Sequence, residues 1–202
     1  ARRMPRAPFT LLRFLCVSVL LAGCSSFTKA PNGRPLMKDG RYASSYNAFV
    51  ADPNYRHTRD VWYHDARISQ AGTKNSKIVI HLKNQRGVLW VDDQVAMDFP
   101  VCTGRSTHET PRGRFTIIQK DEDYRSRSYG SVFDVSGKCV NSDATSSSPV
   151  PRGGKFIGAK MPLWMRIHGG IGLHVGTVYR DATSTGCIRV PVEACRIMFD
   201  KC

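Results

Sequence analysis

Two histidines precede a glycine–cysteine pair near the C-terminal end of the sequence: His168 and His174, followed by Gly186 and Cys187. A thiol attacks a carbonyl carbon only as the thiolate, so a nucleophilic cysteine needs a base or a cation beside it. Imidazole is the natural base at neutral pH. Gly186 allows a substrate to approach the backbone, and amides around Cys187 could hold the oxyanion of a tetrahedral intermediate. These residue types predict a cysteine acyltransferase or hydrolase with Cys187 as the nucleophile.

Of the two histidines, we assign the role of base to His174. It ends a short Gly-Leu-His run, and the loop of residues 176–183 can return the chain so that the imidazole lies beside the thiol. His168 is followed by two glycines, where the backbone can turn. This position favours a role for His168 in lining the pocket.

Each of these side chains also has a structural interpretation. Cys187 could be a buried structural thiol, since free cysteine is among the most buried residue types. His174 could be a core histidine whose ring bonds to the backbone. Zinc binding by His168, His174 and Cys187 is disfavoured because they lack the short paired spacings of structural zinc sites. We predict neither a metal nor a cofactor.

The elements that must position these groups are predicted to be mainly strands. Short runs rich in β-branched and aromatic residues predict strands at residues 77–82, 87–91, 95–101, 114–118, 164–168, 171–175 and 187–190. Residues 136–154 are dense in Ser, Gly, Pro and Asp, and are predicted to form a long loop that borders the substrate cleft. Residues 191–199 begin with proline and carry apolar residues at helical spacing. The pattern predicts a mainly β domain closed by a short C-terminal helix.

Several motifs in this order resemble the L,D-transpeptidases with a YkuD-type catalytic domain. The resemblance runs from about Lys77 to Cys202. It rests on an early strand pair, the Thr103-Gly104 and Thr110-Pro111-Arg112-Gly113-Arg114-Phe115 stretches, the Met161–His168 strand, the Gly172-Leu173-His174 strand and the signature Ser184-Thr185-Gly186-Cys187-Ile188-Arg189. It implies a YkuD-like β-sandwich with a cradle around the catalytic cysteine.

The resemblance also implies roles for individual residues. Carried over by position, Cys187 is the nucleophile and His174 is the general base. Gly186 and Cys187 contribute to the oxyanion site, and Arg189 shapes the site or meets a substrate carboxylate. We add Ser184 of the signature and His168 to the residues expected to form the oxyanion site or to contact the substrate.

Two positions of the signature leave alternatives open. Arg189 either shapes the site and meets a substrate carboxylate, or only pairs with a surface acid. The residue after the signature serine is commonly histidine in the family, and here it is Thr185. Because the thiol's base is the other histidine, we expect activity to survive, with the substrate preference left open.

The activity implied by the resemblance is acyl transfer on peptidoglycan stem peptides. Cys187 attacks the carbonyl between a diamino acid and a terminal D-alanine, forms a thioester and releases D-alanine. The acyl group then passes to an amine on another stem or on an acceptor protein. One alternative is hydrolysis of the same bonds, as an L,D-carboxypeptidase or amidase. Another is a non-catalytic peptidoglycan-binding lipoprotein, against which the presence of both Cys187 and His174 weighs.

Residues 1–23 have the layout of a bacterial export signal. A basic stretch over residues 4–13 precedes an apolar run over residues 14–21, which is shorter than the ~20 residues of a membrane-spanning helix. The Leu-Ala-Gly run before Cys24 resembles a lipobox, which implies cleavage before Cys24 and lipid attachment to it. The alternative is an ordinary secretory signal with a chance cysteine. The expected location is the cell envelope, lipid-anchored, on the periplasmic or outer face of a bacterial membrane.

The remaining chain divides into two predicted parts. Residues 24–75 are rich in polar residues and proline and are predicted to be a tether, whose isolated aromatic residues argue against full disorder. Part of this tether is therefore expected to pack along the domain. Residues 76–202 are predicted to be the catalytic domain.

The charge of the chain bears on its partners. Thirty Lys and Arg against 16 Asp and Glu give a formal charge of +14, which favours an acidic polymer or surface as partner. The basic residues are scattered, and neither a zinc-finger spacing nor an RNA-recognition signature is present. Nucleic acid is therefore disfavoured as a partner.

Four further cysteines follow Cys24 besides Cys187: Cys102, Cys139, Cys195 and Cys202. Four cysteines allow three disulfide pairings. If Cys195 and Cys202 shared one helix they would lie about 10.5 Å apart along its axis, beyond the ~7 Å reach of a disulfide. They can pair only if the helix ends near Phe199.

Overall fold

The computed structural model describes residues 45–179 and 181–202. The predicted signal peptide, the lipobox cysteine Cys24 and the tether up to residue 44 lie outside this part. The described chain forms, in order, α1 (Tyr46–Val50), β1 (Trp62–Tyr63), α2 (Asp65–Gln70), β2 (Ser76–His81), β3 (Arg86–Val91), β4 (Gln94–Pro100), β5 (Gln119–Asp121), β6 (Arg125–Phe133), β7 (Cys139–Thr145), β8 (Lys155–Lys160), β9 (Trp164–His168), β10 (Ile171–Val175), β11 (Ile188–Val190) and α3 (Val192–Lys201). None of the described helices is long and apolar enough to cross a membrane.

The first sheet has the strand order β1-β4-β3-β2 and contains the predicted meander. Strands β2, β3 and β4 pair antiparallel in succession. Asp92 and Asp93 connect β3 to β4 with φ values of 47° and 57°. Positive φ at both central residues is the requirement of a type I′ turn, whose twist matches that of a hairpin. The predicted strands at 77–82, 87–91 and 95–101 are confirmed within one residue at each end.

Residues 45–63 of the predicted tether pack on the domain. β1 extends the first sheet by pairing with β4. Phe49 and Trp62 are buried in a cluster with Val88 and Val95, which lie on the face of the sheet away from the main core. Strand β3 is therefore buried on both faces, and residues 45–63 supply the cover of its outer face.

A buried ion pair ties this cover to the sheet. Arg86 and Asp98 are 1% and 0% exposed and approach to 2.7 Å. The hydroxyls of Tyr46 and Tyr55 donate to the second oxygen of Asp98 at 2.8 and 2.7 Å, and Arg86 also donates to the carbonyl of Thr58. A buried charge pair is retained when its remaining donors and acceptors are bonded, as they are here. Residues 46–58 are thus fixed on the sheet by specific contacts.

The second sheet has the order β11-β10-β9-β5, with β10 and β11 parallel and the other pairs antiparallel. Its inner face packs with the first sheet and α3 around one core that contains Leu89, Met97, Phe99, Met165, Leu173, Ile188, Val190 and Met198. The predicted mainly β class with a C-terminal helix is confirmed. The predicted strand at 114–118 is wrong, because these residues are irregular and regular pairing of β5 with β9 begins at Gln119.

The third sheet, with the order β7-β6-β8, corrects the prediction of a loop over residues 136–154. Cys139–Thr145 is a strand that pairs antiparallel with β6. Its residues are exposed except for Ala144, which explains why its composition resembles that of a loop. The backbone pairing of a polar edge strand leaves no periodic apolar signal in the sequence.

All five cysteines in the described residues are free thiols. Helix α3 continues to Lys201, past Phe199, so that Cys195 and Cys202 lie too far apart along the helix to be joined. Cys102 and Cys195 are buried in the core, and Cys139 is exposed on β7.

Candidate active site

The outer face of the second sheet collects the residues that the sequence singled out. Leu173 pairs with Ile188 and His174 pairs with Arg189 in the parallel ladder of β10 and β11. Side chains alternate between the faces of a sheet, and Leu173 and Ile188 belong to the core. His174 and Arg189 therefore lie side by side on the opposite face. Cys187, two residues before Arg189, reaches the same side from the turn that enters β11.

The turn of residues 184–187, called the cysteine turn below, is fixed by hydrogen bonds of its own. Gly186 has a φ of 109°, a conformation that residues with a side chain rarely adopt. The Ser184 hydroxyl accepts from the Gly186 amide at 3.1 Å and donates to the carbonyl of Cys187. Ser184 is 2% exposed, so its hydroxyl serves the turn. The Gly186 amide is engaged in the same contact.

A second segment supports the cysteine turn from outside. The Thr110 hydroxyl donates to the carbonyl of Gly186 at 2.7 Å and accepts from the amide of Gly104 at 2.9 Å. Residue 104 also forms a bridge with Ser184, and a Cβ added at Gly104 would lie 2.9 Å from the Cα of Gly186. This close approach of two backbones requires glycine at position 104. Thr110 was not singled out as a site residue, although it lies in the Thr-Pro-Arg-Gly stretch that carries the family resemblance.

The Cys187 sulfur lies against the backbone at the start of β10. Its thiol donates to the carbonyl of Gly170 at 3.6 Å. Burial raises the pKa of the Cys187 thiol, while the amide of Gly172 donating to the sulfur and the charge of Arg189 act to lower it. Desolvation is the largest of these effects, so the pKa of the resting thiol lies above its ordinary value, although Arg189 supplies a cation that acts to lower it. The thiol is held protonated, with a donor and a cation ready to stabilise the thiolate.

His174 lies on the sheet face that Cys187 reaches and is buried, with 7% of its surface exposed. Nδ1 lies 2.9 Å from the carbonyl oxygen of Val175. A carbonyl can only accept, so Nδ1 carries the proton and Nε2 is left with its lone pair. Burial lowers the pKa of His174, with a smaller contribution in the same direction from Arg189 and an opposing one from the Val175 carbonyl. The imidazole is therefore a neutral base at neutral pH.

The structure separates the two candidate bases. His168 is exposed at the end of β9, with its ring 5.7 Å from that of Phe115. His174 is buried on the face that carries Arg189 and is reached by Cys187. In residues 45–179 and 181–202, no group of three or more His, Cys, Asp or Glu side chains is arranged to hold a metal ion.

Several solved structures are similar to this chain. They include an L,D-transpeptidase from Mycobacterium smegmatis, with 19% identity and a TM-score of 0.45, covering 62% of this chain and 54% of that chain. An L,D-transpeptidase from Enterococcus faecium has 22% identity and a TM-score of 0.44, and the match covers 63% of this chain and 46% of that chain. An L,D-transpeptidase from Stackebrandtia nassauensis has 18% identity and a TM-score of 0.45, and the match covers 67% of this chain and 58% of that chain. The chain spans about half the length of these proteins.

No curated protein sequence matches this chain. The family model of the YkuD L,D-transpeptidase catalytic domain matches residues 75–202. Since that match covers more than half of the sequence, the chain belongs to the YkuD family of L,D-transpeptidase catalytic domains.

Proposed function

We propose that this chain is a cysteine-dependent L,D-transpeptidase that acts on peptidoglycan stem peptides through a thioester. The observation that carries the proposal is that Cys187, in the cysteine turn, reaches the sheet face that carries His174, a buried neutral imidazole whose Nε2 is free to accept a proton. A neutral base beside a protonated thiol is suited to deprotonate it as it attacks a carbonyl.

The first half-reaction forms the thioester. The Cys187 sulfur attacks the carbonyl carbon between the diamino acid and the terminal D-alanine, and His174 Nε2 takes the thiol proton. The carbon–nitrogen bond of the tetrahedral intermediate then breaks, and the leaving amine of D-alanine takes the proton from His174. Burial of the site strengthens these electrostatic interactions by excluding water.

The second half-reaction transfers the acyl group and regenerates the free enzyme. An amine on another stem, or on an acceptor protein, attacks the thioester carbon and loses its proton to His174. The carbon–sulfur bond breaks, and the thiolate regains a proton from the imidazole. The Gly172 amide and Arg189 stabilise the thiolate in both halves, since both favour the charged form of Cys187.

We assign the oxyanion contact to the amide of Cys187. The Gly186 amide donates to Ser184, so we assign to Gly186 the shape of the turn in place of the oxyanion contact expected from the sequence. Arg189 lies beside His174 on the outer face and remains the candidate to meet a carboxylate of the stem. His168, exposed at the end of β9, is assigned to the edge of the substrate site.

Transpeptidation and hydrolysis share the thioester and differ only in whether an amine or water attacks it. Incubation with defined tetrapeptide stems, with and without an acceptor amine, should release D-alanine in both cases. A cross-linked product is expected only with the amine. Tripeptide alone, even at high amine concentration, would assign the chain to the carboxypeptidases, and release of no D-alanine at all would contradict the proposed function.

We also propose that the protein is anchored in the cell envelope by lipid on Cys24, on the strength of the lipobox-like run before it. Cys24→Ser is expected to move the protein from the membrane fraction to a soluble or unprocessed form. Cys16→Ser, in the apolar run of the same segment, is the matched control and should leave the membrane fraction unchanged. An unchanged membrane-bound amount and processed mass for Cys24→Ser would refute the anchor.

A further inference from the structure

Two stacked aromatic rings stand beside His174 on the outer face of the second sheet. The rings of Tyr124 and Trp164 are 4.7 Å apart and within 12° of parallel. The Trp164 ring lies 6.2 Å from the His174 ring at an angle of 43°. Trp164 is fully buried, whereas Tyr124 is partly exposed. Tyr124 is thus the outer layer and Trp164 the layer next to the imidazole.

The absence of a side chain at Gly172 leaves room for the Trp164 ring. A Cβ added at Gly172 would lie 2.7 Å from Cη2 of Trp164 and 2.6 Å from the carbonyl oxygen of Met165. The far edge of the indole therefore rests on the backbone of β10, at the residue whose amide donates to the Cys187 sulfur. The same indole contacts the strand that carries the base.

The backbone holds Tyr124 in place. Its carbonyl accepts from the Met161 amide at 2.9 Å, and two residues earlier the Glu122 carbonyl accepts from the Leu163 amide at 3.0 Å. These bonds join the residues between β5 and β6 to the residues that lead into β9. The Tyr124 ring is therefore fixed over Trp164 from a separate segment of the chain.

We propose that Tyr124 and Trp164 are positioning residues for His174, whose stacked rings keep water from one side of the imidazole and hold its ring plane. The proposal rests on the proposed role of His174 as the base. Each ring contributes differently, because Trp164 contacts the imidazole and Tyr124 keeps water from Trp164. Desolvation is the largest cause of the low pKa of His174, which agrees with such a cover.

Within the described residues, charged and titratable groups approach His174 from the neighbouring strands. Arg189 lies directly across on β11, and Cys187 reaches the same face from the cysteine turn. On β9, Arg166 pairs with Gly172 and lies diagonally across from His174. On β5, Asp121 pairs with Trp164 and lies on the far side of it. Removal of the Tyr124 ring alters none of these charges. A change in the protonation of His174 in a Tyr124 variant therefore reports the loss of cover.

The test compares Tyr124→Leu with Tyr124→Phe, which keeps the stacked ring, and with Tyr129→Leu, which removes an exposed aromatic ring from β6. NMR titration of labelled histidine, assigned with His174→Ala, gives the pKa of His174. Alkylation of Cys187 by iodoacetamide at pH 6 and pH 8, followed by mass spectrometry of the Cys187 peptide, gives the reactivity of the pair. Neither readout needs a substrate, so both remain informative if the chain proves to have no transpeptidase activity.

Tyr124→Leu is expected to raise the pKa of His174 toward its ordinary value and to lower the ratio of the pH 6 to the pH 8 rate about threefold, because more of the base is protonated at pH 6. Tyr124→Phe and Tyr129→Leu should match the wild type in both readouts. Trp164→Phe, which shortens the ring next to His174, should change both readouts in the same direction as Tyr124→Leu. If folded Tyr124→Leu and Trp164→Phe leave the pKa and the ratio unchanged, or lower both rates equally, the proposed positioning role is wrong.

Discussion

Cys187→Ser is expected to lower the rate of acylation by at least about three orders of magnitude, because a serine hydroxyl is far harder to deprotonate than a thiol. The site is built around sulfur: the Gly172 amide donates to it and the Gly170 carbonyl accepts from it. A neutral imidazole with a lowered pKa is too weak a base to convert a serine hydroxyl into an alkoxide readily. The measurement is the release of D-alanine from a tetrapeptide stem under single-turnover conditions.

Cys139→Ser is the matched control for this variant. Cys139 is a free, exposed thiol on β7 and lies outside the second sheet. Its replacement is expected to leave the rate of acylation unchanged. If Cys187→Ser retained a rate within tenfold of the wild type in a folded protein, the nucleophile would have to be another residue.

His174→Ala is expected to lower acylation at neutral pH by two or more orders of magnitude, because the thiol then loses its proton only to solvent. Burial raises the pKa of Cys187, so a small fraction is thiolate at neutral pH in this variant. Raising the pH toward that pKa should recover part of the loss. In the wild type, the lowered pKa of His174 places the acidic limb of the rate profile below about pH 6.5, the ordinary histidine value.

The matched control for the base is His168→Ala. His168 is exposed at the end of β9, so its replacement should change the apparent affinity for the stem more than the rate of the chemical step. The opposite pattern, in which His168→Ala abolishes acylation while folded His174→Ala stays close to the wild type, would show that the base is His168.

The parts of the fold that could be predicted from sequence are those with a periodic apolar signal. β2, β3 and β4 are dense in β-branched residues and face a core, and α3 carries apolar residues at helical spacing. β7 is exposed and polar, so composition indicated a loop where backbone pairing with β6 makes a strand. Phe49 and Trp62 pack on the first sheet, where Asp98 accepts from Tyr46 and Tyr55, 52 and 43 residues away in the sequence. No local pattern indicates such distant contacts.

The candidate site also has a part that the sequence indicates and a part that it does not. Residue types and motif order indicated Cys187 and His174, because nucleophilic chemistry requires a thiol and a base. The supporting contacts depend on register between strands: Gly172 beside Cys187, Thr110 under Gly186, and Trp164 beside His174. Register between non-neighbouring segments follows from packing, and a single sequence carries no local signal for it.

The central claim is that a stem peptide becomes joined to Cys187 as a thioester. Mass spectrometry of the intact protein after brief exposure to a tetrapeptide stem tests it most directly, with the modified peptide then sequenced. The account predicts an adduct with the mass of the stem less its terminal D-alanine, on the peptide that contains Cys187, absent from Cys187→Ser and removed by an added amine. Release of D-alanine without such an adduct, or an adduct on another residue, would contradict it.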